Sequence, residues 1–195
     1  MGCHRQTHMS EWNCGAALVL LGSLVTARAA DAPPPGLPYE SAGACPFECC
    51  TYRTWSVKAD TNVLSERRDG AAVAFQVRRG QKVRGVTGVV VTTSFGTAVV
   101  RKAMTIGPDS DRIPVKPGDS VLLLHYVGEG YWKFWAHGHV ANDQLPGIGE
   151  SCSPGICDIQ ITREPDAVWW IQIQIDGRQG WTRQVENFGD IDACG

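Results

Sequence analysis

Beyond residue 50 the chain has almost no apolar repeat of three to four residues. Short runs of Val, Ile, Thr and aromatic residues are instead broken every few positions by Gly, Pro or Asp. Half-buried strands joined by tight turns produce this pattern, because alternate side chains of a strand face opposite sides of its sheet. Strands are expected at 55–57, 72–76, 82–93, 98–104, 120–126, 132–137, 168–175 and 180–183. Turns are expected at Arg79-Gly80, Phe95-Gly96, Pro117-Gly118, Gly128-Glu129-Gly130 and Asp176-Gly177, residue types that accept a positive φ or preset a bend. The expected fold class is all-β.

Two segments echo one another. Arg78 to Val83 and Lys116 to Val121 each run from a basic residue through a glycine turn into a Val-led strand. Tyr131 to Gly138 and Trp169 to Gly177 are both aromatic strands ending in a glycine. Ahead of them, residues 31–38 read DAPPPGLP, whose prolines favour an extended spacer, so 30–44 is expected to be a linker.

Residues 14–25, CGAALVLLGSLV, form an apolar run of 12 residues followed by Ala27 and Ala29 in the small-residue positions of an A-x-A cleavage site. This predicts a signal peptide over residues 1–29, with Met1 or Met9 as the start. The run is too short for a spanning helix, which needs about 20 apolar residues, so no membrane span is expected in the mature chain. Export to the periplasm or the exterior follows.

Composition narrows the class of partner. A formal net charge of -2 and 19% charged residues leave no basic footprint for nucleic acid. Six cysteines follow the predicted cleavage point: Cys45, Cys49, Cys50, Cys152, Cys157 and Cys194. An even number in an exported chain predicts disulfides. Adjacent Cys49 and Cys50 should each pair elsewhere, since a bridge between neighbours needs a strained ring. The Pro-Gly turn inside residues 152–157 permits a local bridge, and Cys194 is placed to staple the C-terminal segment to the 45–50 cluster. Fifteen connectivities remain formally open.

Residues 63–77, the turn Arg79-Gly80-Gln81-Lys82-Val83 and the segment WWIQIQIDGRQGW from Trp169 to Trp181 together resemble the bacterial SH3-like domains of exported envelope proteins. The three stretches correspond to that family's opening arm, the turn before its long strand and its closing hairpin. The resemblance covers 55–94 and 160–190 and fails over 95–150. It implies an SH3-like barrel over 45–190, either one barrel with inserted hairpins at about 95–150 or two small SH3-like units in tandem, with 191–195 as a tail carrying Cys194. It also implies a non-catalytic binding module whose partner is peptidoglycan (cell-wall glycopeptide) or an extended peptide.

Candidate chemistry is sparse. No Walker loop or dinucleotide fingerprint is present, no helical stretch exists to activate a cysteine, and no cofactor is implied, so an enzyme is not expected. His137 and His139, read as i and i+2 on a strand, would share a face and could chelate a metal. With the cysteine cluster they carry the alternative of a metal-binding or thiol-redox envelope protein. A third reading is an inhibitor or assembly partner of another exported protein. His125, on the apolar strand VLLLHY, reads as a hydrogen-bonded structural histidine. The leading ligand-binding candidates are Tyr131, Trp132, Trp135, Trp169 and Trp170, since outward rings on adjacent strands would form a stacking face for sugars or prolines.

Overall fold

The computed structural model describes residues 31–149 and 157–194; the expected signal peptide and Cys152 lie outside them. The chain is all-β, with no α-helix among the described residues. In chain order the strands are β1 (Tyr39–Ala42), β2 (Thr54–Val57), β3 (Thr61–Leu64), β4 (Val73–Val77), β5 (Lys82–Ser94), β6 (Gly96–Val100), β7 (Met104–Ile106) and β8 (Ile113–Val115). They continue as β9 (Ser120–Gly128), β10 (Tyr131–Ala136), β11 (His139–Gln144), β12 (Ile148–Gly149), β13 (Ile159–Arg163), β14 (Asp166–Ile175), β15 (Arg178–Thr182) and β16 (Phe188–Gly189). A 3-10 turn, Val185–Asn187, precedes β16.

Two sheets divide the work. The first runs β16-β2-β5-β14-β15-β3-β4, with β1 added to β5, and the second runs β11-β10-β9-β6-β13-β12. The main path is the same in both. In each, a short strand (β2 or β6) lies between a late strand (β16 or β13) and a long strand (β5 or β9), and an antiparallel hairpin follows on the far side (β14–β15 or β10–β11), beyond which β3–β4 extends the first sheet while β7–β8 stands as a sheet of its own. A small two-stranded arm, β3–β4 or β7–β8, separates short and long strand in the chain. The second sheet is inserted whole between β5 and β14 of the first.

Each sheet curls around its own core. Trp55, Val57, Val63, Val77, Ile171, Ile173 and Phe188 fill the first; Leu123, Trp132, Phe134, Leu145 and Ile159 lead the second. Trp55 has no exposed surface, and its indole donates to the Thr51 carbonyl at 3.0 Å, which satisfies the one polar atom such a ring carries. Gly85 on β5 makes this possible, because a Cβ there would come within 2.6 Å of the Trp55 ring.

Several expectations need correction. Residues 39–42 of the expected linker are a strand, paired with Val89–Thr92 through Tyr39, Glu40, Ser41 and Ala42. Phe95-Gly96 is not a hairpin turn but the crossing from the first sheet to the second. There the two ends of the insertion meet, Arg163 donating to the Phe95 carbonyl at 2.8 Å and Pro165 lying where a Gly96 side chain would be. The expected strand 98–104 is split, because the backbone at Arg101 and Lys102 turns aside to donate to the Asp158 carbonyl. The inserted sheet therefore spans 96–163 rather than about 95–150. The C-terminal tail is pinned, Ile191 accepting from Thr51 and Ala193 donating to Cys49.

Candidate functional site

The cysteine cluster forms a tight loop against the first sheet. Cys45 bonds to Cys50 and Cys49 to Cys194, so the adjacent pair does part and the C-terminal segment is stapled to the cluster. Cys157 is disulfide-bonded as well. The carbonyl of Ala44 accepts from the Trp169 indole at 3.1 Å and also from the Tyr52 hydroxyl, and Phe47 meets the Trp169 ring edge-on at 5.6 Å. Gly88 faces this cluster, where any side chain would collide with the Trp169 nitrogen and the Tyr52 hydroxyl. Burial pushes the Tyr52 phenol up to about 12, its interaction with Trp169 opposing the shift, so this anchor stays protonated at all physiological pH.

Facing that loop from the second sheet is the turn Gly128-Glu129-Gly130, between β9 and β10. All three residues have positive φ, at 120°, 52° and 80°. Glu129 is the costly one, since a residue with a Cβ rarely adopts this region without support. The support is visible: the Gly130 N–H donates to the Tyr126 hydroxyl at 3.0 Å, and Gln144 donates to the Glu129 carbonyl at 3.1 Å. Gly128 sits so close to the 47–48 backbone that a Cβ would lie 2.9 Å from the Phe47 carbonyl carbon.

Between loop and turn lies an open pocket of about 250 Å³ lined by Phe47, Glu48, Cys49, Cys50, Val127, Gly128, Glu129 and Tyr131. Tyr131 is 40% exposed. Among the described residues neither Glu48 nor Glu129 has an ion-pair partner, whereas most other acids at the surface are paired with Arg, Lys or His.

Of the five aromatic residues expected to bind ligand, only Tyr131 lines this pocket. Trp132 and Trp170 are core residues, 7% and 6% exposed. Trp169 is half-buried beneath Phe47, and Trp135 is half-buried with its indole nitrogen buried and unpartnered. The expected flat face fails for a topological reason: β10 and β14 belong to different sheets and are not neighbours. Phe47, Glu48 and Glu129 were not singled out from the sequence. Their types and the turn signal were visible, but nothing local tells a cysteine loop to meet a turn near residue 129.

The histidine pair also separates. His137 is not on a strand but in the β10–β11 turn, with φ of 45° beside Gly138 at 88°. Its ring contacts Asp119 at 3.0 Å and Asp31 at 3.4 Å, while His139 contacts Asp111 at 2.9 Å. Each imidazole thus has its own carboxylate rather than a shared face, and no group of three potential metal ligands exists among the described residues. The Asp119 carboxyl is held below its usual range, first by the Lys116 N–H at 3.0 Å and then by His137.

A second polar cluster joins the sheets. His125 is 4% exposed on β9; one ring nitrogen contacts the Tyr126 carbonyl at 2.8 Å and the other the Ser41 hydroxyl of β1 at 2.9 Å. Since a carbonyl only accepts, Nδ1 carries the proton and Ser41 donates to Nε2. Burial lowers the His125 pKa, with Lys133 adding to the effect and the Tyr126 carbonyl opposing it. Beside it Thr92 donates to the Leu124 carbonyl at 2.8 Å.

Compared with protein-family models, curated proteins and solved structures, the chain matches none.

Proposed function

We propose that the chain is an exported, non-catalytic SH3-like binding module that holds cell-wall glycopeptide or an extended peptide in the pocket between Tyr131 and the cysteine loop. The carrying observation is that exposed ring: it forms a wall of a concavity whose other wall is fixed by two disulfides and the Ala44 hydrogen bonds. A site built on restrained walls loses little conformational entropy on binding, which is what a weak recognition module requires. The opening arm, glycine turn and closing hairpin of the SH3-like resemblance fall around one core, as β3–β4, Arg79-Gly80 and β14–β15, which supports the family reading. An extended ligand also has a route to the pocket. Strand β11 ends its sheet, and its Gln144 lies opposite Tyr131, so a peptide added along that edge would arrive at the ring. All five described cysteines are in disulfides, which leaves no free thiolate among them to ligate a metal.

The test is retention on insoluble peptidoglycan and, separately, on a peptide array that includes proline-rich sequences. Native protein should be retained by one of them, and Tyr131→Ala, an exposed change that leaves the core intact, should lose most of that retention. Retention by neither overturns the binding reading and leaves an assembly role.

A further inference from the structure

The pocket is lined by two glutamates that have no ion-pair partner among the described residues, beside an exposed aromatic ring, whereas the other described surface acids are mostly paired. Glu48 comes from the cysteine loop of the first sheet and Glu129 from the turn of the second, so the two acids are brought together only by the folded chain. Restraints hold the backbone that carries each. Glu129 is locked in its left-handed conformation by the bonds from Gly130 to Tyr126 and from Gln144 to Glu129, and Glu48 lies between the Phe47 ring on Trp169 and Cys49 in its bridge to Cys194. Lys133, two residues beyond Tyr131 on β10, does not line the pocket and forms no ion pair with either glutamate. Two anions lining one pocket create an attractive potential for a cation, and a tyrosine face adds quadrupole attraction for an ammonium group that comes within about 6 Å. The carboxylates oppose an anionic ligand, and a neutral sugar would use the ring alone and leave both charges without a partner.

We infer that this pocket binds an alkylammonium group, with Glu48 and Glu129 supplying the charge and Tyr131, backed by Phe47, the face on which the amine's methylene chain lies. The inference rests on the binding reading above and gives it a ligand class: the recognised element is a protonated amine, carried on a peptide or glycopeptide side chain or as a free diamine.

The experiment is NMR titration of the full disulfide-bonded protein with three probes: Nα-acetyl-lysine N-methylamide, its Nε-acetylated form, and cadaverine. The lysine probe should shift the signals of residues 47–50 and 128–131, and Nε-acetylation, which removes only the charge, should abolish this. Cadaverine binding as tightly as the lysine probe supports the amine site and assigns it to free diamines; weaker cadaverine binding supports it and assigns the source to a peptide-borne side chain. Glu48→Gln with Glu129→Gln should weaken the lysine probe by roughly tenfold, Tyr131→Ala by a similar factor, and Tyr131→Phe by little, since the ring face is retained. Increasing salt should weaken binding of the native protein and leave the double Gln variant nearly unaffected. Equal binding of the acetylated probe, or no shift with any probe, overturns the inference.

Failure here is separable from failure of the binding reading. Peptidoglycan retention that survives acetylation of the wall amines refutes the amine site and keeps the module. Lysine binding in solution without retention on wall or peptide array does the reverse.

Discussion

The two sheets follow the same path through their strands and are closed by different means. The second, residues 96–163, is continuous in the chain, so its first and last strands, β6 and β13, pair within one stretch of sequence. The first is interrupted: β5 and β14 lie on either side of the whole inserted sheet, yet they share the longest ladder among the described residues, from Asp166 opposite Ser94 to Gln174 opposite Arg84. Closing that loop costs chain entropy, and the Cys49–Cys194 bridge, with a sequence separation of 145, removes much of the corresponding freedom from the unfolded chain. The hairpin tips differ in the same spirit. Asp176-Gly177 and His137-Gly138 each have two consecutive positive φ values, 49° and 75° against 45° and 88°, suited to a two-residue reversal. Gly177 has open space around it, whereas a Cβ on Gly138 would lie 2.8 Å from the Ala32 nitrogen, and His137 faces Asp31. One turn merely reverses the chain; its counterpart is a seat for the N-terminal segment of the domain.

Three perturbations sharpen this contrast. The largest effect is expected from emptying either core: Trp55→Ala in the first sheet and Phe134→Ala in the second should each cost roughly 3 to 5 kcal/mol in denaturant unfolding. Tryptophan fluorescence and amide exchange should then show whether the sheets unfold together. Loss of protection in both sheets from either variant means one cooperative unit, and loss confined to the mutated sheet means two.

Next, Cys194→Ser paired with Cys49→Ser, so that no thiol is left behind, should cost roughly 2 to 5 kcal/mol, because the bridge closes nearly the whole domain. The loss should appear first as exchange in β2 and β16, beside the stapled tail. An unchanged melting temperature would show that the hydrogen bonds from Thr51 and Ala193 suffice without the bridge.

The smallest effect belongs to the seam. His125 is neutral in the fold and has its pKa lowered by burial, so the unfolded state binds more protons as pH falls below the ordinary value of 6.5. Stability is therefore fully present above that value and is lost progressively as pH falls from there toward the depressed pKa. Ser41→Ala, which leaves the buried ring nitrogen without its donor, should cost roughly 1 to 3 kcal/mol near neutrality. His125→Leu should remove this part of the pH dependence. Equal acid sensitivity in native and His125→Leu protein would place the titrating group elsewhere, with Asp119, whose contribution is lost at lower pH, as the next to examine.

Much of the fold was legible because its causes are local. Strand alternation from Val168 to Ile175 and the Gly80, Gly118 and Gly177 turns are set by side-chain period and by the tolerance of glycine for positive φ, so their positions were predicted to within a few residues. The echo of Arg78–Val83 in Lys116–Val121 corresponds to equivalent turns feeding β5 and β9. The site was legible only in fragments. Tyr131 was singled out as an outward aromatic, but Trp132 and Trp170 were offered beside it, because alternation tells which residues share a face and not which face is covered.

By itself the sequence determined an all-β chain, its main turns and the parting of Cys49 and Cys50, each a matter of neighbours along the backbone. Only the tertiary structure decided that two sheets of like path are nested, that His137 and His139 point to separate carboxylates, and that Glu48, Glu129 and Tyr131 line one pocket. The reason is physical. A turn or an alternating strand lowers free energy through contacts a few residues apart. Bringing a loop at 47–50 against a turn at 128–130 depends on the summed burial of both cores and on the crossing at Gly96 and Pro165, terms that no short window of sequence contains.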